Sequence, residues 1–330
     1  MGHWQSRGAI AWLLWPASLL YGIVAVLRRT LYRLRLLRSH AAGIPVIVVG
    51  NLSAGGSGKT PLVMHVANLL REHGWRPGIV SRGYRPGARD ADAAPMQATI
   101  ASDPARVGDE PMLLARRTGC PVWVAPDRVA ACRALRAQHP EVDVIVSDDG
   151  LQHYALRRDL EICVVDGRRF GNGFLLPAGP LREPPRRLAS VSAVVAHDAP
   201  GIAGYRMSLE GNEVVRLGDA GSVRTLKSFS GERVHALAGI GDPARFFAQL
   251  ERAGLRVERH PFPDHHAYRA EDLAFADGGT VLTTEKDAVK LRRIAQALPR
   301  AALWVFPVSA AVDPAFDRWL LERLGGLKAA

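Results

Sequence analysis

Ser53-Ala54-Gly55-Gly56-Ser57-Gly58-Lys59-Thr60 follows the apolar run of residues 44–50 and precedes a helix-like segment, residues 61–70. A strand, a glycine-rich loop and a helix in this order are the context of a P-loop. Glycines allow backbone N–H groups to turn onto a polyphosphate, where the helix N-terminus adds partial positive charge. Lys59 can reach the β- and γ-phosphates, and Thr60 can ligate Mg²⁺. The stretch therefore predicts a nucleoside triphosphate site, formed by Ser53, Gly55, Gly56, Ser57, Gly58, Lys59 and Thr60.

The composition is that of a folded chain with room for two domains. The chain has 330 residues, of which 48% are hydrophobic and 23% charged. Its net charge of +11 comes almost wholly from arginine, since only five of the 43 basic residues are lysines. Such an excess suits phosphates, nucleic acid or an anionic bilayer, and genome composition explains it equally well. The three cysteines have no metal-like spacing and indicate buried thiols in a reducing compartment.

The amino-terminal segment predicts attachment to a membrane. Residues 9–27 carry no charge, and as a helix they would measure roughly 28 Å, barely enough to span a bilayer. Arginines interleaved with leucines follow over residues 28–38, which places the rest of the chain in the cytoplasm. Arginines directly after the apolar run argue against a cleaved signal peptide. Whether the helix spans the bilayer or lies in the interface stays open.

The alternation of strand and helix patterns predicts an α/β fold. It is a P-loop NTPase-like, doubly wound, mostly parallel sheet, with a smaller Rossmann-like α/β domain and an N-terminal membrane helix. The predicted domains are a membrane-associated helix with a basic interfacial segment, a P-loop domain, a β-hairpin linker and a smaller α/β domain. They cover residues 1–40, 41–204, 205–227 and 228–330 respectively.

Acidic residues follow a predicted buried strand, residues 142–147. Asp148 and Asp149 stand where a P-loop fold places the acidic partner of Mg²⁺, opposite Thr60. His153 extends the same loop and could face the phosphates or the acceptor. An acidic turn with an exposed histidine is the alternative interpretation.

A proton acceptor and charge-stabilising groups are the other parts that phosphoryl transfer needs. Asp109 and Glu110 open a predicted helix, so they could be capping charges, or a base and a metal-side residue. A neutral histidine of the Asp264-His265-His266 loop could share the base role, which would make catalysis depend on domain closure. Arg128 and Arg182 are candidates for stabilising the charge of the transferring phosphate.

Seven segments in order resemble one family, the tetraacyldisaccharide 4'-kinases, over nearly the whole chain. They are Gly50-Asn51-Leu52-Ser53 running into the P-loop, Ser81-Arg82-Gly83-Tyr84, Val107-Gly108-Asp109-Glu110-Pro111, Ser147-Asp148-Asp149-Gly150-Leu151-Gln152-His153, Gly179-Pro180-Leu181-Arg182-Glu183, Phe262-Pro263-Asp264-His265-His266 and Thr284-Glu285-Lys286-Asp287-Ala288. Ser53, which departs from the usual nucleotide motif, also fits this family. Leu151 stands where the family often has an aromatic residue.

The resemblance implies ATP-dependent phosphorylation of the 4'-hydroxyl of tetraacyldisaccharide 1-phosphate, in lipid A biosynthesis. It implies that Lys59 and Thr60 bind ATP and Mg²⁺, and that Asp148, Asp149 and Glu110 serve the metal and phosphates. Asp109 assisted by His265 would act as base, and whether His265 or His266 faces Asp109 stays open. Arg128, Arg182 and His153 would complete the pocket, and Asn51 and Tyr84 are expected to contact substrate.

The expected location is the cytoplasmic face of the inner membrane, with the anionic membrane surface as a partner. The alternatives are a membrane-associated P-loop ATPase switch and a soluble small-molecule sugar kinase. Ala54 stands where partitioning-type ATPases carry a second lysine, and the Asn-Lys-x-Asp guanine signature is missing from the sequence. No nucleic-acid partner is predicted, because no aromatic-rich binding motif accompanies the charge. No obligate protein partner is predicted either.

Overall fold

The computed structural model describes residues 4–83, 94–276, 278–294 and 301–328. Its helices are α1 (Ala9–Arg33), α2 (Lys59–Glu72), α3 (Pro104–Val107), α4 (Asp109–Thr118), α5 (Arg128–Gln138), α6 (Pro243–Arg252), α7 (Glu285–Leu291) and α8 (Pro314–Lys328). Its strands are β1 (Val46–Gly50), β2 (Pro77–Ser81), β3 (Met96–Ala98), β4 (Val122–Val124), β5 (Val144–Asp148), β6 (Leu160–Asp166), β7 (Ala193–His197), β8 (Tyr205–Glu210), β9 (Glu213–Arg216), β10 (Asp219–Thr225), β11 (Arg233–Ala238), β12 (Arg256–Pro261), β13 (Thr280–Thr284), β14 (Ala302–Phe306) and β15 (Ser309–Val312).

The chain divides into two compact units. Unit 1 comprises Met1–Thr99, Leu114–Leu209 and Ala310–Ala330, and unit 2 comprises Ile100–Leu113 and Glu210–Ser309. The predicted domains differ from this division in two segments, since residues 100–113 belong to unit 2 and residues 310–330 to unit 1. Within the predicted linker, β9 and β10 form an antiparallel pair, whereas β8 joins the sheet of unit 1.

Unit 1 is built on a sheet in the order β15-β8-β7-β6-β1-β5-β2-β4-β3. The pairs from β8 to β4 are parallel, and β3 runs antiparallel to β4. β1 is buried along its whole length, as is typical of a parallel strand whose two faces are both covered. The carboxyl end of this central strand leads directly into the glycine-rich loop. The prediction of a doubly wound, mostly parallel sheet is thereby confirmed.

The C-terminal residues complete unit 1 at the outer edge of its sheet. β15 lies beside β8, and the backbone N–H of Asp313 donates to the carbonyl of Arg206 at 2.9 Å. Phe316 of α8 packs edge-on against Tyr205, with ring centroids 5.5 Å apart. These contacts explain why α8 belongs to unit 1 although it follows unit 2 in the chain.

Unit 2 is a smaller α/β body with the strand order β10-β9-β14-β13-β11-β12. Strands β11 to β14 pair in parallel, and β9 and β10 run antiparallel at one edge. The α6 helix begins where the Asp242 side chain accepts a hydrogen bond from the backbone N–H of Arg245 at 3.3 Å. Its apolar face, Phe246, Phe247 and Leu250, is buried in the core of the unit.

The α1 helix presents an apolar surface to the outside of unit 1. Most of its large hydrophobic side chains are exposed: Ile10, Trp12, Leu13, Trp15, Leu19, Leu20, Ile23, Val24, Val26 and Leu27. A contiguous exposed surface of this kind marks an interface with a membrane or a protein. By length and composition α1 could cross a bilayer.

Candidate active site

The backbone of the glycine-rich loop in unit 1 requires glycine at two positions. Gly55 and Gly58 have φ values of +102° and +84°, in the region that L side chains rarely adopt. A Cβ at Gly58 would also collide with the imidazole of His197. The loop therefore turns tightly at Gly58, and α2 begins at the next residue, Lys59.

The side chain of Asn51 joins two residues at the end of the glycine-rich loop, Ser57 and Lys59. It is fully buried, its amide nitrogen donates to the Ser57 hydroxyl at 3.0 Å, and its amide oxygen accepts from Lys59 Nζ at 3.2 Å. The expectation that Asn51 contacts the substrate does not fit this position, because the side chain is enclosed and both ends of its amide are engaged. Its contacts are those of a residue that positions Lys59.

The predicted segment Gly179–Glu183 lies along the glycine-rich loop. The backbone N–H of Ala54 donates to the carbonyl of Pro180 at 2.8 Å, and that of Arg182 donates to the carbonyl of Leu52 at 2.6 Å. This antiparallel bridge satisfies loop groups that the sheet leaves unpaired. It also brings the Arg182 side chain to the acidic residues after β5.

Asp149 lies between two cations. Its carboxylate accepts hydrogen bonds from Arg182 Nη1 at 2.9 Å to each oxygen, and Lys59 Nζ is 3.6 Å away. Burial favours the neutral acid, but Lys59 and Arg182 outweigh that effect and lower the pKa of Asp149 to about 2. The carboxylate is therefore ionised at neutral pH, and its contacts with Lys59 and Arg182 are ion pairs.

Asp148 is the better candidate for holding Mg²⁺. It is the last residue of β5, which lies beside β1, and its carboxylate accepts from the Ser81 hydroxyl at 3.2 Å. Thr60 is in the first turn of α2. A carboxylate and a hydroxyl are the oxygen donors that Mg²⁺ prefers, and this ion keeps several waters besides. The donor set therefore fits the metal that the sequence predicts.

Arg128 contacts Asp149, and its charge acts on His153. Arg128 is nearly buried, and its guanidinium donates to the carbonyls of Pro126 at 3.1 Å and Asp149 at 3.5 Å. Burial and the charge of Arg128 lower the pKa of His153 to about 4, so this imidazole is neutral at pH 7. His153 Nε2 lies 3.7 Å from a carboxylate oxygen of Asp127.

Two residues of this site are missing from the sequence-based list. Gln152 donates to the backbone carbonyl of Asn51 at 3.2 Å, and Arg168 joins the backbone carbonyl of Gly56 to the carboxylate of Asp166. Arg168 follows β6, which lies beside β1 in the sheet. Its place after the carboxyl end of a neighbouring strand is the sequence signal that could have found it. Tyr84, a predicted substrate contact, lies outside the described residues.

Unit 2 pairs a buried aspartate, Asp109, with a partly exposed histidine, His265. Asp109 opens α4 and is 5% exposed, and its Oδ1 lies 3.2 Å from His265 Nδ1. Burial opposes ionisation of Asp109, but the hydrogen bond from His265 and the charges of Lys286 and Lys290 lower its pKa to about 2. The same hydrogen bond raises the pKa of His265 above 6.5. The carboxylate is thus ionised beside an imidazole whose pKa is raised.

Lys286 lies beside His265 and pairs with two carboxylates, those of Glu110 and Asp264. Its ammonium donates to Glu110 Oε1 and Asp264 Oδ1, each at 3.0 Å, and lies 3.5 Å from His265 Nε2. Burial opposes the ammonium, but these carboxylates raise the pKa of Lys286 above its usual value. The Glu110 carboxylate, predicted to lie on the metal side, is paired within unit 2 with a lysine.

His266 has a different partner from His265. Its Nε2 lies 2.9 Å from Asp272 Oδ2, and its ring packs against Tyr268. The question that the sequence leaves open is therefore answered geometrically, since His265 is the residue that contacts Asp109.

A fully buried aspartate, Asp287, supports a second lysine near Asp109, Lys290. Asp287 accepts from the hydroxyl of Tyr268 at 2.9 Å, the hydroxyl of Thr284 at 2.7 Å and the N–H of Gly239 at 3.0 Å. It also lies 3.2 Å from Lys290 Nζ. The segment Thr284–Ala288 thus carries Lys286 itself, and its Asp287 pairs with Lys290.

Comparison with known proteins decides the family. The model of the family described as LpxK, tetraacyldisaccharide-1-P 4'-kinase, matches residues 10–325. The chain belongs to this family. Proteins named tetraacyldisaccharide 4'-kinase are 49% identical to it in Methylobacillus flagellatus, over 98% of this chain and 94% of theirs, and 50% identical in Aromatoleum aromaticum, over 97% and 96%.

A solved structure of the same family has the same fold. It is the "apo" form of LpxK from Aquifex aeolicus in complex with ATP, which is 27% identical to this chain. The match has a TM-score of 0.78 and covers 95% of this chain and 99% of the other. Two lines of comparison, one by sequence and one by structure, thus agree on the family over nearly the whole chain.

Proposed function

We propose that this chain transfers the γ-phosphate of ATP to the 4'-hydroxyl of tetraacyldisaccharide 1-phosphate, a step of lipid A biosynthesis. Family membership supports this activity. The observation that carries it is the contact between the buried Asp109 carboxylate and His265 in unit 2. A P-loop alone is common to switches and kinases, whereas a kinase also needs a group that accepts the proton of the acceptor hydroxyl.

Unit 1 supplies phosphate binding in this proposal. Backbone N–H groups of the loop and the Lys59 ammonium bind the β- and γ-phosphates. Asp149 keeps two cations together, since its Oδ1 lies 3.6 Å from Lys59 Nζ and 2.9 Å from Arg182 Nη1. Thr60 and Asp148 would hold Mg²⁺, which when bound neutralises charge that develops on the phosphates. Arg128 acts by positioning Asp149.

Unit 2 supplies proton acceptance. As the acceptor oxygen bonds to the γ-phosphorus, the bond from that phosphorus to the bridging oxygen of ADP breaks, and the hydroxyl proton passes to the Asp109 carboxylate. His265 holds the Asp109 carboxylate in position through a hydrogen bond, which also stabilises the negative charge of the carboxylate. Because the charge of a protonated His265 makes Asp109 a weaker base, the pair works best when His265 is neutral. Glu110 keeps Lys286 ionised beside the pair.

Helix α1 supplies attachment to the cytoplasmic face of the inner membrane. Its Tyr21 hydroxyl donates to the backbone carbonyl of Arg182 at 3.2 Å, and Arg28 donates to the backbone carbonyl of Gln152 at 3.2 Å. The helix that would enter the bilayer therefore touches the segments that carry the nucleotide-site side chains. A lipid substrate whose acyl chains stay in the membrane suits that placement, and anionic headgroups suit the arginines of residues 28–38. His153 and Tyr84 remain predicted substrate contacts.

Transfer of labelled γ-phosphate to purified tetraacyldisaccharide 1-phosphate in detergent micelles tests the proposal. The expected product is the 1,4'-bisphosphate, identified by mass spectrometry, and Lys59→Ala should form it more slowly, by roughly 100-fold or more. A matched control is Lys227→Ala, which removes an exposed lysine of unit 2. If the folded, ATP-binding wild type leaves this acceptor unmodified, the proposal fails and another acceptor or an ATPase switch takes its place.

A further inference from the structure

Unit 2 carries a second cluster of chemically active side chains, which the phosphotransfer proposal does not use. His235 lies on β11, and Glu258 and His260 lie on β12. The two strands run parallel, with His235 directly opposite Glu258 in the register. Side chains at alternate positions of a strand share a face, so Glu258 and His260 both lie beside His235. All three side chains are only partly exposed.

The donor atoms of these three residues converge. His235 Nδ1 lies 3.1 Å from His260 Nε2, and the two nitrogens lie 3.7 Å from Glu258 Oε2 and Oε1, respectively. Ligands of a tetrahedral zinc ion at about 2.0–2.1 Å are separated from one another by roughly 3.3 Å. The observed separations lie close to this value, so a small ion fits between the three groups after shifts of a few tenths of an ångström.

Neighbouring residues hold two of the three groups in orientation. Arg233 donates to Glu258 Oε2 from Nη2 at 2.6 Å and from Nε at 3.2 Å, so that Oε1 is the oxygen turned to His260. The His260 ring stacks on Phe275 with centroids 3.5 Å apart. Outer contacts that fix a carboxylate and an imidazole are typical of metal sites.

We propose that His235, Glu258 and His260 form a binding site for a divalent transition-metal ion of the zinc type. Two imidazoles and one carboxylate are ligands that Zn²⁺ accepts, with water in the fourth position. Arg233 places a positive charge beside Glu258, so the affinity is lower than that of a closed four-ligand site. Because β12 is an edge strand, a bound ion ties it to β11 and stabilises that edge of unit 2.

Titration calorimetry of the full, tag-free chain with ZnCl₂, in the absence of nucleotide, tests the site. We expect one Zn²⁺ per chain, a loss of this binding in both His235→Ala and His260→Ala, and roughly tenfold or more weaker binding in Glu258→Gln. His139→Ala is the matched control, because His139 also lies beside a glutamate, at 3.3 Å, but belongs to unit 1. This control variant should bind Zn²⁺ as the wild type does.

Thermal unfolding gives a second readout that is independent of kinase activity. An ion that binds only the folded chain raises Tm, so Zn²⁺ should raise Tm of the wild type and of His139→Ala but not of His235→Ala or His260→Ala. Circular dichroism of each variant without metal establishes that it is folded. The proposal is overturned if the wild type binds no Zn²⁺, or if binding survives in the folded His235→Ala and His260→Ala chains. The two imidazoles are then only a hydrogen-bonded pair.

Discussion

At the scale of single residues, each unit contains an aspartate that is held ionised by surrounding donors and cations. Asp149 has Lys59 and Arg182, and Asp109 has His265, Lys286 and Lys290. Burial alone would favour the neutral acids, so the pKa of about 2 at each site shows that the surrounding donors and charges dominate. For Asp109, a pKa lowered from 3.8 to about 2 corresponds to about 2 kcal/mol of stability. That contribution is present above pH 3.8 and is lost as the pH falls toward 2.

Replacing His265 by glutamine should change the pH dependence of stability. The folded pKa of His265 lies above its usual value, so the protonated imidazole stabilises the folded chain fully below pH 6.5. That stabilisation is lost as the pH rises through the folded pKa. Glutamine can still donate to Asp109 but does not titrate. Urea unfolding should therefore show a stability difference between wild type and His265→Gln that shrinks above pH 6.5. A difference that grows above pH 6.5 would contradict the raised pKa of His265 that its hydrogen bond with Asp109 produces.

Lys59→Ala should reduce phosphate transfer by roughly 100-fold or more, because it removes a charge that stabilises the transferring phosphate. Two cations, Lys59 and Arg182, contact the Asp149 carboxylate, and the substitution leaves only Arg182 of these two. The measurement is the initial rate with saturating lipid, together with the Kd for ATP from calorimetry. Lys227→Ala should match the wild type in both, and an equal loss in the two variants would show that the effect is not local.

At the scale of elements, the turn from β1 into α2 requires glycine at position 58 for two reasons. The backbone has a positive φ there, and the neighbouring His197 ring leaves no room for a Cβ. Gly58 and Gly74 have similar φ values, +84° and +78°, but a Cβ would meet the His197 ring only at Gly58. Gly74→Ala should therefore cost about 1 kcal/mol of unfolding free energy, from backbone strain alone. Gly58→Ala should cost more and should also weaken ATP binding. Equal losses of stability in the two variants would rule out the steric role of His197.

Local patterns predict much of this architecture. The run of residues 44–50, the glycines and the helix after Lys59 predict β1, the loop and α2, and two aspartates after an apolar strand predict the end of β5. Contacts made by distant segments could not be predicted in this way. Arg168 and Gln152 reach the loop only because β5 and β6 lie beside β1, and α8 joins unit 1 only because β15 pairs beside β8. Such placements depend on sheet order, which no local pattern encodes.

The site shows the same limit. The resemblance to the family implies Asp109 and His265 as partners, and Asp109 Oδ1 lies 3.2 Å from His265 Nδ1. The burial of Asn51 and the engagement of Glu110 by Lys286 follow from packing, and therefore could not be predicted. The sequence thus predicts which residues carry chemistry better than it predicts which residues hold them in place.

At the scale of the whole molecule, the exposed apolar surface of α1 should govern membrane binding. Replacing the exposed Leu13 and Leu20 together by serine should lower the fraction of protein that sediments with anionic phospholipid vesicles, because less apolar area enters the interface. Ile100→Ser, which changes an exposed hydrophobic residue of unit 2, is the control and should bind as the wild type does. Undiminished binding of the Leu13, Leu20 variant would mean that α1 is not the membrane anchor.

The central claim is that one unit binds ATP and the other accepts the proton of the sugar hydroxyl. The most direct test measures ATP affinity and phosphate transfer side by side in Asp109→Asn, which keeps the size of the side chain but removes its charge. The account predicts ATP binding close to that of the wild type and transfer to tetraacyldisaccharide 1-phosphate reduced by roughly 100-fold or more. Transfer at the wild-type rate in Asp109→Asn would contradict it.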